Sequence, residues 1–240
     1  MKVVGVLGGI ASGKSLVCRE LERLGAYVLD ADKLGHEVLD LPEVQATLFE
    51  RWGTDVRGKD GRIDRAKVGR IVFGPPPRGP EERRFLESVT HPRISARIAD
   101  RLAEIRASAA RERSGQGGEV GAVDPIAAHT EDRAEDRVDA VVVLDAALLL
   151  EAGWRPFCDE ILFVECPEGV RRERALARGW SEENWRAREA AQKSLEEKRQ
   201  VSTGTLDNSG SSADTIGQVQ DFWRRLTGVR PAESQESSDR

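Results

Sequence analysis

Residues 8–15 read Gly8-Gly9-Ile10-Ala11-Ser12-Gly13-Lys14-Ser15 and follow directly on the apolar run Val3-Val4-Gly5-Val6-Leu7. The spacing is G-x-x-x-x-G-K-[ST], a loop that works only when a buried strand enters it and a helix leaves it, so that backbone N–H groups converge on phosphate oxygens. Both flanks are present. Upstream lies the β-branched run, and downstream Ser15 to Leu24 places apolar residues at helical spacing until Gly25 stops it. Gly8 and Gly13 permit the turn and the close approach, Lys14 is set to reach the β- and γ-phosphates, and Ser15 offers a hydroxyl to Mg²⁺. The bland alternative, a glycine-rich turn without a ligand, leaves the agreement of all four fixed positions with their context unexplained.

A second strand at Tyr27–Asp30 completes a βαβ opening, which implies parallel pairing. Helical patterning then runs over 32–52 with a break at Pro42, and 53–61 is a turn-rich connection. Helical spacing resumes over 64–73, ends at Pro75-Pro76-Pro77, and returns from Glu81 to about Arg113 with an expected interruption at His91-Pro92. Residues 114–138 lack apolar periodicity and read as a solvated insertion. Strands follow at 139–145 and 160–165. From Arg171 to Arg199 the chain is Arg-, Glu-, Lys- and Ala-rich at helical spacing. A short strand enters a loop at 205–208, a last helix covers 213–226, and a polar tail closes the chain.

With 240 residues, 33% charged and 39% hydrophobic, the chain fits one α/β domain with appendages, and no stretch reaches the length of a membrane span. The first strand starts at Val3, so no targeting peptide is expected and the cytoplasm is the expected location. Cys18, Cys158 and Cys166 show no metal spacing and read as buried thiols. A net charge of −5 argues against broad nucleic-acid binding.

The loop announces a nucleoside triphosphate; the destination of its γ-phosphate must come from elsewhere. Asp30-Ala31-Asp32 closes the second strand beside the loop, where a carboxylate can accept a proton from an attacking hydroxyl or hold Mg²⁺ through water. Both acids could instead cap the next helix; beside the loop, Asp32 is the candidate base. Asp145 ends an apolar run like a second nucleotide-site acid, or is a plain strand terminus. The segment Ala146 to Glu151, with Leu148 and Leu149, lines either a substrate cleft or the core. His91-Pro92 marks either a kink or a histidine set against a sugar or phosphate. Most of the cations between Arg171 and Arg199 would be solvated, but phosphoryl transfer needs cations over the phosphates and a cover against water, and Arg178 and Arg188 are the candidates on such a lid. The five tryptophans show no base-stacking pattern.

Together these blocks resemble the bacterial dephospho-coenzyme A kinase family: the loop at 8–15, Asp30-Ala31-Asp32, His91-Pro92-Arg93-Ile94, Leu148-Leu149-Leu150-Glu151, Gln192 and Asp207-Asn208-Ser209-Gly210, in that order over nearly the whole chain. The resemblance implies an α/β P-loop NTPase fold, a three-layer sandwich with a parallel sheet, a helical substrate-binding lobe and a helical lid. In one domain, 1–227, the core would comprise 1–31, 139–170 and 204–227, the substrate lobe about 32–113 and the lid about 171–203. It implies transfer of the ATP γ-phosphate to the ribose 3′-hydroxyl of dephospho-coenzyme A, with Mg²⁺, by a monomer or weak homo-oligomer with no nucleic-acid or membrane partner. Site roles implied are ATP binding by Gly9, Ile10, Ala11, Ser12, Gly13, Lys14, Ser15, Leu16, Arg178 and Arg188, with Asn208 near the adenine. Catalysis would fall to Asp32, Lys14 and Arg178, and acceptor binding to Asp32, His91, Leu148, Leu149 and Glu151. The metal would sit on Ser15, with Asp32 or Asp145 through water. Departures are Ala147 where the family usually has Pro, Thr203-Gly204 where it usually has Ala-Asp, and the insertion. Another small-molecule or nucleotide kinase would share loop and lid but not this series of blocks, and a GTP switch would carry an Asn-Lys-x-Asp motif, which the chain lacks.

Overall fold

A computed structural model describes residues 1–113 and 140–228. Strands β1 (Lys2–Gly8), β2 (Tyr27–Asp30), β3 (Val141–Asp145), β4 (Glu160–Glu165) and β5 (Gly204–Asp207) form one sheet in the order β2-β3-β1-β4-β5. Every pair is parallel. The inner strands are apolar on both faces because both faces are covered. Val4, Val6, Val141, Val143, Leu162 and Val164 point to helices α1 (Lys14–Arg23) and α9 (Ser212–Thr227), where Val17, Leu21, Val219, Phe222 and Trp223 complete one core. Their sequence neighbours Val3, Leu7, Val142, Leu144, Ile161 and Phe163 point the other way, onto Leu34 and Val38 of α2 (Ala31–Leu39) and Ile94, Ile98 and Leu102 of α5 (Arg78–Arg113). The period of two thus divides the strands between two cores.

Register positions the chemistry. Val6 pairs with Asp145, Asp30 with Asp145, and Gly8 with Val164, so the loop after β1 and the acids ending β2 and β3 share the carboxyl edge of the sheet. Such an edge is where open parallel sheets bind ligands.

Helices α3 (Pro42–Trp52) and α4 (Arg65–Val72) join α2 and α5 in the helical lobe, with a small core of Val56, Val68 and Val72. One expectation is corrected here. Helix α5 is unbroken at His91-Pro92, running 36 residues through the proline. An interior proline costs about 3 kcal/mol; the buried seam of Val89, Ile94, Ile98 and Leu102 holds the helix together across it. Arg93 Nη1 donates to Val89 O at 2.6 Å and Thr90 Oγ1 to Leu86 O at 2.9 Å, so side chains bind carbonyls around the break. The Arg-rich stretch is helical as its spacing predicts, in three helices: α6 (Glu168–Ala177), α7 (Glu182–Ala190) and α8 (Leu195–Gln200). Gly179, at φ 81°, turns the chain after α6. Ser181 caps α7, and Ser194 with Glu197 forms a capping box on α8.

Thr203, one of the two departures before β5, accepts from Ile161 N at 3.0 Å through its hydroxyl and donates its own N–H to Ile161 O at 2.8 Å, tying the entry of β5 to β4. The insertion and the polar tail lie outside the described residues.

Leu149 is corrected too: it is fully buried in the core against β1, where a Cβ on Gly5 would meet its Cδ1 at 2.9 Å. Its side chain packs the sheet and is withdrawn from the cleft, while Leu148 is half-buried. Leu149→Ala is expected to cost about 2–5 kcal/mol of unfolding free energy in chemical denaturation, and Leu148→Ala clearly less.

Candidate active site

The loop between β1 and α1 is held in a shape that its glycines make possible. Gly13 has φ 99° and Ala11 φ 61°, both left-handed. Gly13 also faces the Asn208 amide so closely that a Cβ would collide with Nδ2, and a Cβ on Gly9 would lie 2.6 Å from Arg171 Nη1. Asn208 is buried: its Nδ2 donates to Ser12 O at 2.6 Å and its Oδ1 accepts from Thr215 Oγ1 at 2.8 Å. Both ends of the amide are therefore engaged, and the side chain braces the phosphate loop against β5 and α9. Ser12 Oγ is buried without a partner among the described residues, while Ser15 is exposed in the first turn of α1.

Lys14 Nζ folds back over the loop, donating to Gly8 O at 3.3 Å and Gly9 O at 3.2 Å. Burial pushes its pKa down to about 8; Lys198 and Arg171 repel the charge, and Asp145 draws it back.

The acids opposite Lys14 divide their tasks. Asp30 caps α2, accepting from Lys33 N at 3.0 Å. Asp32 follows in the first turn and is exposed. Although its side chain is exposed, Asp32 loses enough water to the surrounding protein to be raised above the usual carboxylate range; Asp30 and Asp145 raise it further, while His36 and Lys14 oppose. Asp145 is raised by burial first, with Lys14 and a hydrogen bond from the Cys18 thiol pulling it down. Cys18 thus acquires a contact that its sequence context did not suggest.

Helix α6 leaves β4 beside the loop and aims Arg171 and Arg174 at it. Arg171 is buried, donates through Nε to Cys166 O at 3.1 Å, and pairs with Glu189 of α7. Arg174 Nη2 reaches Asn208 O at 3.2 Å and its Nη1 lies 3.5 Å from Ser12 O. Arg178 is one turn farther along the same face, exposed at the C-cap of α6. Arg188 is turned elsewhere: Nε donates to Asn184 Oδ1 at 2.8 Å and the guanidinium stacks over Trp180 at 4.6 Å. It lines a cleft with Phe73 and Arg83. Because helical residues turn by about 100° each, the inward Glu189 leaves its neighbour Arg188 on the outer face, so the structure does not bring Arg188 to the loop. Arg171 and Arg174, unremarkable within a run of cations, carried a usable signal: they occupy the first turns of the helix after Cys166-Pro167, next to the loop strand.

His91 sits half-buried with its ring 5.7 Å from Trp154, whose indole donates to Ser95 Oγ at 3.0 Å. Burial lowers its pKa, favouring the neutral ring. Glu151 Oε1 accepts from Lys193 N at 2.6 Å, and its Oε2 is buried without a partner among the described residues. Gln192 Oε1 accepts from Lys198 Nζ at 2.7 Å.

Comparison with known proteins shows the family. The family model "Dephospho-CoA kinase" matches residues 2–111 and 123–214, leaving out 112–122 where the insertion begins. A dephospho-CoA kinase of Symbiobacterium thermophilum is 36% identical over 231 residues, covering 95% of this chain and 82% of that protein. One from Geobacter metallireducens is 36% identical over 239 residues, covering 96% and 100%. Among solved structures, TT1252 from Thermus thermophilus superposes with a TM-score of 0.69 at 30% identity, covering 95% and 98%. Dephospho-CoA kinase from Campylobacter jejuni, at 21% identity, shares the fold with a TM-score of 0.58 over 95% and 98%. The chain belongs to the dephospho-CoA kinase family, transferases of the last step of coenzyme A biosynthesis.

Removing the Asn208 brace leaves Ser12 O and Thr215 Oγ1 without it. Asn208→Ala is expected to lower unfolding free energy by about 1–3 kcal/mol and to speed amide exchange in residues 9–14, measured by hydrogen–deuterium exchange; protected loop amides in the variant would contradict the bracing role.

Proposed function

We propose that this member of the dephospho-CoA kinase family moves the γ-phosphoryl group of ATP onto the ribose 3′-hydroxyl of dephospho-coenzyme A, releasing coenzyme A and ADP in the cytoplasm. The observation that carries this reading is the nearness of Asp32 and Lys14: a carboxylate raised by burial and by Asp30 and Asp145 follows β2 at the sheet edge that also carries the lysine of an intact phosphate loop.

ATP enters along the loop, whose backbone N–H groups from Gly9 to Leu16 and the helix α1 N-terminus take the phosphates. Lys14 exchanges its two carbonyl partners for phosphate oxygens. The orphan Ser12 hydroxyl fits the same cradle. Asn208 serves the nucleotide from behind, through Ser12, at the side where the adenine would lie. The oxygen donors suit Mg²⁺: the Ser15 hydroxyl directly, and Asp32 or Asp145 through water. Bound there, the metal would neutralise charge on the β- and γ-phosphates.

The acceptor lies on the α2–α5 side, against Asp32, His91, Leu148 and Glu151. Asp32 takes the 3′-hydroxyl proton onto its carboxylate as that oxygen bonds to the γ-phosphorus and the bond to the ADP oxygen breaks in line. Its raised pKa makes it a stronger proton acceptor than an ordinary carboxylate. Arg171 and Arg174 fix the loop, and Arg178, exposed at the end of the same helix face, supplies charge to the moving phosphoryl group when the lid closes.

Incubation with Mg-ATP and separate acceptors, namely dephospho-coenzyme A, adenosine, AMP and water, is expected to yield ADP rapidly only with the first. ADP formed only with other nucleosides or nucleotides would make this a different kinase. Asp32→Asn should cut kcat by about 10²–10⁴-fold while ATP titration stays near wild type; undiminished turnover would remove Asp32 as the base. Lys14→Ala should weaken both binding and rate. The pH profile follows from the two shifts. The rate rises as Asp32 loses its proton above the usual carboxylate range, and kcat/KM for ATP falls as pH passes about 8, where free Lys14 becomes neutral. A profile flat from pH 7 to 10 would contradict the assigned role of Lys14.

A further inference from the structure

Helix α8 is six residues long and places its charges unevenly. Glu196 and Arg199 pair at the surface, Glu197 pairs with Lys193, and Arg199 reaches Glu165. Lys198 alone turns inward, at 1% exposure. Its ammonium donates to the neutral Gln192 amide at 2.7 Å and forms no ion pair among the described residues. Burying an unpaired cation costs several kcal/mol, and such a group persists when something it binds repays the cost.

The surroundings indicate what that something is. Helix α8 packs against β1, the strand that delivers the phosphate loop. Lys198 stands close enough to Lys14 to depress its pKa, second only to burial, and close enough to Arg171 to be repelled by it. Arg171 in turn lies against Gly9. Three cations therefore converge on one side of the loop. Glu151, Glu189 and Glu197 attract the Lys198 charge without forming an ion pair with it: Glu189 is held by Arg171, Glu197 by Lys193, and Glu151 accepts from Lys193 N through one oxygen while the other is buried without a partner among the described residues. The sequence offered no hint, since Lys198 lies among nine Arg and Lys residues whose ordinary fate is solvation.

We propose that Lys198 is a further phosphate-binding residue of this site, which leaves Gln192 to take a γ-phosphate oxygen and so distinguishes ATP from ADP. This rests on the reading of the chain as an ATP-dependent kinase. Gln192 then acts as the parking partner of the cation in the free protein. Because Lys198 stands on α8, the last helix of the 171–203 segment, γ-phosphate binding would also draw that segment toward the loop.

The test compares Lys198→Met and Lys198→Arg with wild type, titrating each with Mg-ADP and with a non-hydrolysable Mg-ATP analogue by calorimetry, alongside thermal unfolding of the free proteins. Lys198→Met is expected to keep ADP affinity within about twofold, to lose at least about tenfold in affinity for the ATP analogue, and to unfold at or above the wild-type midpoint because an unpaired buried charge has gone. Lys198→Arg should retain part of the preference for the ATP analogue. Equal losses for both nucleotides, no loss for either, or a midpoint lowered by several degrees would assign Lys198 a structural or neutral role and overturn the proposal. If Lys198→Met does not fold, the structural role is established and the proposal fails. Wild-type protein that binds neither nucleotide would instead bring down the kinase reading itself.

Discussion

Everything in this site depends on how tightly the phosphate loop is held from behind. Asn208 and Arg171 press so closely on Gly13 and Gly9 that any side chain there would collide with them. The loop is therefore fixed by contacts from the far end of the chain, from β5 and from the helix after β4. Backbone N–H groups aimed at phosphate are useful only if they need no rearrangement when the ligand arrives. The buried amide between Ser12 and Thr215 provides that rigidity, at the cost of requiring glycine at position 13.

A second constraint is electrostatic. Lys14 is buried and carries a lowered pKa, Asp32 and Asp145 carry raised ones, and further cations crowd the same loop. The crowded cations gain from a bound polyphosphate, whereas the two carboxylates gain only from a positive charge or a proton brought near them. Pairs of titratable groups whose surroundings push their pKa values toward neutrality are the mark of acid–base and phosphoryl chemistry. Here the opposing shifts share one sheet edge, set by the pairing of Asp30 with Asp145 and of Val6 with Asp145.

Much of this was legible in the sequence, because the relevant signals are local. The loop, the strand ending at Asp30 and the apolar strands before Asp145 and Glu165 each follow from short-range periodicity, and the structure has all of them. What was not legible depended on tertiary contact. Pro92 looks like a helix breaker and is overridden by a buried seam on either side. The stretch from Arg171 to Arg199 reads as helical, but the places where it divides, at Gly179 and at two serine caps, do not stand out from its composition. Leu149 and Leu148 are equal in sequence, yet a one-residue difference sends the first into the core. Among the lid arginines, composition cannot tell Arg171, locked on the loop, from Arg188, stacked on Trp180.

The central claim is that the phosphate loop and the Asp32 carboxylate act together on a ribose hydroxyl. The most direct measurement is ³¹P NMR of the products formed from Mg-ATP and dephospho-coenzyme A. A new phosphomonoester resonance on the ribose 3′-oxygen, appearing in step with ADP, is the expected result. ADP appearing with inorganic phosphate, or a phosphoester at another position, would contradict it.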